Sequence, residues 1–214
     1  AHEVKNPLGA LRGAAQLLQK ELNNADLDEY TDVIISEADR LQAMVDNLLT
    51  SHKLPTLTYF HVHQVLEHIT RLMHVEFAHK IVIQKDYDFS LPELYGDKEQ
   101  IVQALLNITR NAAQAISGEG SIRFRTRVAR HVTLAKKIHK LAVIIQIIDE
   151  GPGIPEDQQE RIFFPLVTDR EGGTGLGLSI AQTYINYNKG KIEVESNTEQ
   201  TCFSIILPVG QSTK

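Results

Sequence analysis

Asp149-Glu150-Gly151-Pro152-Gly153 and, further along, Gly172-Gly173-Thr174-Gly175-Leu176-Gly177-Leu178 are the segments of this chain best suited to hold a nucleotide. The apolar run Leu141 to Ile148 precedes the first, so its Asp closes a strand and its glycines form a turn where backbone can approach a ligand closely. The apolar-periodic stretch Leu178 to Ile185 follows the second, so its glycines open a helix, where unpaired N–H groups and the dipole favour phosphate. Taken singly, each glycine cluster reads as a turn. Two of them with an acidic anchor suggest ATP. A third segment adds metal chemistry: Asn107 and Asn111 stand one turn apart on one face of a helix read from Asp97 to Ala115. Asparagine is a poor mid-helix residue, and its amide oxygen suits Mg²⁺, a hard cation that shares oxygen ligands with phosphates. The plainer reading of the pair is polar residues on a solvated face.

These groups need a scaffold, and the apolar pattern supplies one. Leu8, Leu11, Ala15, Leu18 and Leu22 repeat at 3-4-3-4 spacing, as do Ile34, Ala38, Leu41, Val45 and Leu48. Each is a narrow coiled-coil-like seam. The link Asn23-Asn24-Ala25-Asp26 is short enough for an antiparallel helical hairpin, with Asp26 or Asp28 as cap of the second helix. Pairing with a second copy would bury both seams in a four-helix bundle, which makes a homodimer the expectation; a hairpin packed only on its own second domain is the alternative. After a linker containing Pro55 the pattern becomes mixed, which divides the chain into residues 1–53 and 54–214. Val62 to His74 reads as a helix, Ile81 to Asp86 as a strand, and Ile122, Phe124, Thr126 and Val128 alternate with Arg123, Arg125 and Arg127 on a half-buried strand paired with Leu141 to Asp149. Arg130 to Lys140 reads as a solvated basic loop at the hairpin tip, with capture of an acidic partner as the alternative. Lys191 to Ser196 and Cys202 to Leu207 complete a mixed sheet covered by one layer of helices, an α+β sandwich.

The composition excludes several classes. With 214 residues and 42% hydrophobic content the chain can build a core, and its net charge of −5 argues against direct nucleic-acid binding. The longest apolar stretch, Leu141 to Ile148, is too short to span a membrane. A single cysteine, Cys202, excludes an intrachain disulfide, consistent with a reducing cytoplasm, and reads as a small core residue. His61-Val62-His63 has no carboxylate or cysteine cluster beside it and reads as solvated.

Five segments in order resemble one family. Asn107-x-x-x-Asn111, Asp149-x-Gly151-x-Gly153, Phe163-Phe164-Pro165 and Gly173-x-Gly175-x-Gly177 resemble the N, G1, F and G2 boxes of the Bergerat (GHKL) ATPase domain of two-component sensor histidine kinases. His2-Glu3-x-x-Asn6-Pro7-Leu8 resembles their H box. The wording of the H, F and G2 segments is most similar to the nitrogen-regulation branch of that family. The resemblance implies a kinase that autophosphorylates His2 from ATP, with Glu3 as the acid/base beside it, and passes the phosphoryl group to an aspartate of an NtrC-like receiver domain. It also implies a PII-type signalling protein as partner, and a role for Asn6, one turn after His2, in dephosphorylating the regulator. A GHKL ATPase or serine kinase that does not use His2, and an ATP-binding regulatory module, are the alternatives.

By the same resemblance Asp149 accepts the adenine amino group, and Gly151, Gly153, Gly173, Thr174, Gly175, Leu176, Gly177 and Leu178 frame the nucleotide. Asn111 is the principal Mg²⁺ ligand with Asn107 beside it. In the hydrolytic relatives, gyrase and the MutL proteins, a water-activating glutamate occupies the position of Asn107, whose amide cannot act as a base. The segment between Gly153 and Gly173, with Phe163, Phe164 and Arg170, is expected to close over the triphosphate. Arg110 and Lys191 could add positive charge near phosphates, with a solvated role as the alternative. Pro7 is expected to kink the first helix at the reactive turn. With His2 so near its start, the chain reads as a fragment lacking a sensor domain and the first turns of that helix.

Overall fold

The computed structural model describes residues 2–22, 25–50, 55–78, 80–116, 118–168 and 174–210, the side chains of residues 2–5, 22, 25, 26, 40, 43, 44 and 46–50 excepted. The chain divides into two compact units, residues 1–54 with 168–176 and residues 55–167 with 177–214.

The first unit is a helical hairpin of α1 (His2–Leu22) and α2 (Ala25–Thr50). Helix α1 runs through Pro7 without a break, so the backbone of His2 is helical. Helix α2 already begins at Ala25, which puts Asp26 and Asp28 inside its first turn and not at its cap. The seams close through their smallest members: Ala15 and Ala38 are 2% and 5% exposed, and Thr31 is buried with them. Alanine lets two helices approach closely. Leu11, Leu18, Ile34 and Leu41, from the same seams, stay about half-exposed in the single chain, together with Leu17, Tyr30 and Val33. One copy therefore buries the alanine positions of the pattern and leaves Leu11, Leu18, Ile34 and Leu41 half in water.

The second unit contains β1 (Leu57–Phe60), α3 (Val62–Glu76), β2 (Ile81–Asp86), β3 (Leu94–Asp97), α4 (Lys98–Ala115), β4 (Gly120–Leu134), β5 (Lys137–Asp149), a short 3₁₀ turn at Arg161–Phe163, α5 (Gly177–Tyr187), β6 (Lys191–Ser196) and β7 (Thr201–Pro208). Five strands form a mixed sheet in the order β2-β4-β5-β7-β6, with β2 parallel to β4 and every other pair antiparallel. Strands β1 and β3 form a separate two-stranded ribbon. The core lies between one face of the large sheet (Ile122, Phe124, Ile145, Ile147, Phe203, Ile205) and the helices (Leu66, Ile69, Ile101, Leu105, Ile108, Ala181, Ile185). At about 25 cal/mol per Å² of apolar surface, a fully buried side chain such as Phe124 or Leu66 contributes roughly 1.5–3 kcal/mol. The other sheet face carries Arg123, Arg125, Gln146, Ser204 and Glu193 at alternate positions.

Two expectations change here. The basic loop from Arg130 to Lys140 is strand, because the β4–β5 ladder continues through Val132↔His139 to Leu134↔Lys137 and closes at Ala135-Lys136. Both turn residues have positive φ, 47° and 63°, as a two-residue primed hairpin requires. Cys202 lies on the outer sheet face, half-buried between Gln146 and Ser204, and is not a core residue. Burial raises its thiol pKa, which favours the unreactive protonated form. Among the described residues no helix is long and apolar enough to cross a membrane.

Candidate functional site

Helix α4 is the rail along which the site is laid out. Asp97 caps it, one carboxylate oxygen accepting from the Gln100 N–H at 3.1 Å and the other from the Thr56 N–H at 2.9 Å. Its apolar face (Ile101, Ala104, Leu105, Ile108, Ala112) is buried, and Asn107 and Asn111 occupy a half-buried stripe beside that face. Asn107 has a structural partner: its amide nitrogen donates to the Gly177 carbonyl at 3.2 Å while its oxygen accepts from Gln103 at 3.1 Å. Asn188 makes the complementary connection at the other end. Its oxygen accepts from the Asp97 N–H at 2.8 Å, and its nitrogen donates to Gln100 and to the Tyr184 carbonyl. Two asparagines thus hold α5 antiparallel to α4, with the N-terminus of α5 against the asparagine stripe.

The opposite end of that stripe meets the turn after β5. Asp149 is 1% exposed and stands in register with Ile122 on β4 and Thr201 on β7. Its Oδ1 accepts from the Gly151 N–H at 2.9 Å, which folds the chain back over the carboxylate. A Cβ on Gly151 would lie 2.7 Å from that oxygen and 3.1 Å from the Ala115 Cβ, so the turn sits directly on the last turn of α4. Gly153 has φ +82°, and a Cβ there would fall 1.9 Å from the Asn197 carbonyl oxygen. Polar residues at the β6–β7 corner secure the turn. The Ile154 N–H donates to Ser196 Oγ at 2.8 Å, Ser196 and Thr201 hydroxyls are 2.7 Å apart, and the Gln159 amide donates to the carbonyls of Ile154 and Ser196. Ser196, Thr201, Gln159 and Asn197 escaped the sequence reading, because lone polar residues at strand ends carry no period.

Asn107, Asn111 and Ala115 succeed one another at one-turn intervals, so about 12 Å separate the contact with α5 from the contact with the Gly151 turn. A buried carboxylate therefore stands at one end of a nucleotide-length track, a helix N-terminus at the other, and the Asn111 amide between them. The carboxylate suits an amino group, and the N-terminus suits phosphates. Among the described residues no three His, Cys, Asp or Glu side chains could hold a metal ion; the side-chain oxygen of Asn111 is a hard donor of the kind Mg²⁺ takes.

Other expected site residues are placed differently. Arg110 is turned to Glu76 at the end of α3, its Nε 3.0 and 2.9 Å from the two carboxylate oxygens. Lys191 pairs with Glu193 and begins β6 at the end remote from Ser196, five residues and roughly 16 Å along the strand from the row of Asp149. Phe163 packs edge-on against the core residue Phe203, with ring centroids 6.4 Å apart, which ties the start of the expected lid to the core; Phe164 is exposed. Thr174, Gly175 and Leu176 lead into α5, Gly175 with φ +63°, and Leu178 is buried in its first turn, whereas Arg170 and Gly173 lie outside the described residues. His2 and Glu3 lie on α1 with side chains outside the described set, and Asn6, one turn on, is exposed. His63 is not solvated: it stacks on Tyr87 at 4.5 Å and meets Thr126 Oγ1 at 3.0 Å, and burial lowers its pKa.

Residues 96–211 match the family described as histidine kinase-, DNA gyrase B-, and HSP90-like ATPase. The chain belongs to this ATPase family. Residues 1–56 match the His Kinase A phospho-acceptor domain. Among characterised relatives, the chain is 51% identical over 211 residues to the sensory histidine kinase/phosphatase NtrB of Vibrio alginolyticus and 50% identical over 210 residues to that of Escherichia coli O157:H7. Each alignment covers 98% of this chain and 60% of the relative, so the chain spans about 60% of the length of these proteins. A crystal structure of the histidine kinase ThkA in complex with the response regulator TrrA is similar over the whole chain and 61% of that kinase, at 25% identity and a TM-score of 0.68.

Proposed function

We propose that this chain is the transmitter region of a sensor histidine kinase that transfers the γ-phosphoryl group of ATP to His2 and then to an aspartate of an NtrC-like receiver domain. The observation that carries the proposal is the track along α4, with Asp149 at one end, the N-terminus of α5 at the other and Asn111 between them. In the transfer, a neutral imidazole nitrogen of His2 attacks the γ-phosphorus, the bond to the ADP oxygen breaks, and Glu3 receives the imidazole proton. Asp149 selects the adenine amino group, and Gly177 and Leu178 offer backbone N–H groups at the start of α5. Asn111 would hold Mg²⁺, whose charge offsets that of the phosphates. Asn107 lacks the basicity to activate water, which favours transfer over hydrolysis. Arg110, released from Glu76, and Arg170 are candidates for phosphate contacts.

The relatives named kinase/phosphatase support a second activity, in which the Asn6 amide orients a water beside the phospho-aspartate of the regulator. Similarity to NtrB supports nitrogen regulation, a cytoplasmic setting and a PII-type protein as regulator. The half-exposed Leu11, Leu18, Ile34 and Leu41 support a homodimer closing as a four-helix bundle. Incubation with radiolabelled ATP and Mg²⁺ tests the reading: acid-labile label that a receiver domain removes supports it. Acid-stable label retained in His2→Gln would overturn it in favour of a serine kinase.

A further inference from the structure

We infer that the distal half of the β4–β5 hairpin is a docking arm for an acidic, extended segment of a partner protein, taken up as an added strand. Strand β2 pairs with β4 only over Gly120–Arg125, and β7 pairs with β5 only over Ala142–Asp149. From there to the turn at Ala135-Lys136 the two strands pair only with each other among the described residues. The segment after β2 covers the β4 edge a little further: the Asp88 N–H donates to Thr126 Oγ1, and Arg127 donates to the Asp86 carbonyl. The Val128 N–H bonds the Asp88 carboxylate and the Val209 N–H donates to the Leu141 carbonyl at 3.1 Å; beyond these, from Ala129 to Lys140, neither edge is paired with another described strand, an arrangement that another strand can complete.

Charge selects the partner. Between Glu119 and Asp149 stand Arg123, Arg125, Arg127, Arg130, Lys136, Lys137 and Lys140 with no acidic residue among them, in a chain of net charge −5. Arg125 and Arg127 are committed to Asp86, whereas Arg130, Lys136, Lys137 and Lys140 form no ion pair with a described residue. Residues 129–141 are partly or fully exposed apart from Leu134, and Ile138, 75% exposed, stands among the lysines. The register skips His131 and Lys140, passing from Arg130↔Leu141 to Val132↔His139, so the ladder is interrupted there. Apart from the two turn residues, whose positive φ the hairpin itself requires, His131 also has positive φ, 55°, a disfavoured backbone conformation of the kind found at functional positions. Open strand edges can be satisfied by peptide but not by a lipid surface or a nucleic acid, and the cluster of Arg130, Lys136, Lys137 and Lys140 beside them matches an acidic strand. This inference is independent of the phosphoryl-transfer reading.

The test is fluorescence anisotropy of the intact chain with a labelled peptide of alternating glutamate and valine. The proline-interrupted version of that peptide, phosphatidylserine vesicles and single-stranded DNA serve as competitors. Saturable, salt-weakened binding of the uninterrupted peptide is expected, with new amide-exchange protection confined to residues 129–141. The triple variant K136E/K137E/K140E should bind roughly tenfold more weakly, the scale for reversing three exposed charge contacts, with ATP binding intact. K136Q/K137Q/K140Q gives the same comparison should the reversal impair folding. Equal binding of the proline-interrupted peptide, preference for vesicles or DNA, or unchanged affinity in both variants would overturn the inference.

Discussion

Gly153→Ala should be among the most damaging single-methyl additions in the second unit. The native φ of +82° costs an L-residue about 1–2 kcal/mol by itself. The new Cβ would also fall 1.9 Å from the Asn197 carbonyl oxygen and 2.8 Å from its carbon, and both are backbone atoms that no rotamer change can move. The Gly151–Ile154 turn must then lift from the β6–β7 corner, loosening the Ile154–Ser196 hydrogen bond and the two from Gln159, each worth about 1 kcal/mol net. The total is about 3–5 kcal/mol, large against the 5–15 kcal/mol of a typical domain. Because the same turn folds over Asp149, ATP affinity should fall by at least tenfold even where the variant remains folded. Gly118→Ala supplies the control, since φ is +95° but its Cβ would meet nothing within 4 Å, so only the conformational cost of about 1–2 kcal/mol applies. Denaturant unfolding followed by the signal of the second unit, with ATP titration of each folded variant, measures both effects. If Gly153→Ala and Gly118→Ala lose equal stability and both bind ATP normally, the Asn197 contact does not shape the site.

Asp149→Asn should weaken ATP more than GTP, since it removes the acceptor matched to an amino group; equal losses by calorimetry would make Asp149 purely structural. Asn6→Ala should retain His2 phosphorylation and transfer while losing most of the phosphatase stimulation measured with an NtrC-type receiver and a PII-type protein, whereas loss of labelling as complete as in His2→Gln would refute that division. His63 has a folded pKa below its ordinary 6.5 because burial disfavours the cation, so the unfolded chain binds more protons between the two values. Its contribution is then fully present above pH 6.5 and lost as pH falls through the folded pKa. The unfolding midpoint should drop more steeply from pH 7.5 to pH 5.5 in the native chain than in His63→Gln, and parallel slopes would contradict this.

The elements that carry the candidate site were legible because they give local signals. Asn107 and Asn111 stand out as helix-averse residues at helical spacing, and Asp149 and the glycines mark a strand end and a helix start. What eluded the sequence depends on distant partners or on backbone without a composition signal. The Ala135-Lys136 turn contains no glycine or asparagine, so a two-residue hairpin looked like a loop. The four-residue strands β1 and β3 are too short to show a period, and β1 buries only Phe60. Arg110 meets Glu76 from 34 residues earlier, and Asn188 reaches Asp97 from 91 residues away. Phe163 sits in a motif expected to move, yet its ring is fixed by Phe203. The seams were visible as a repeat, but nothing in the repeat tells that its alanines, rather than its leucines, close the hairpin.

The central claim is that the nucleotide site on α4 delivers phosphoryl to His2. Phosphorus-31 NMR of the protein after incubation with ATP and Mg²⁺ tests it most directly. A single protein-bound phosphoramidate resonance is expected, absent in His2→Gln and strongly reduced in Asn111→Leu. A phosphoester resonance, or ADP and free phosphate released with no protein-bound phosphorus, would contradict it.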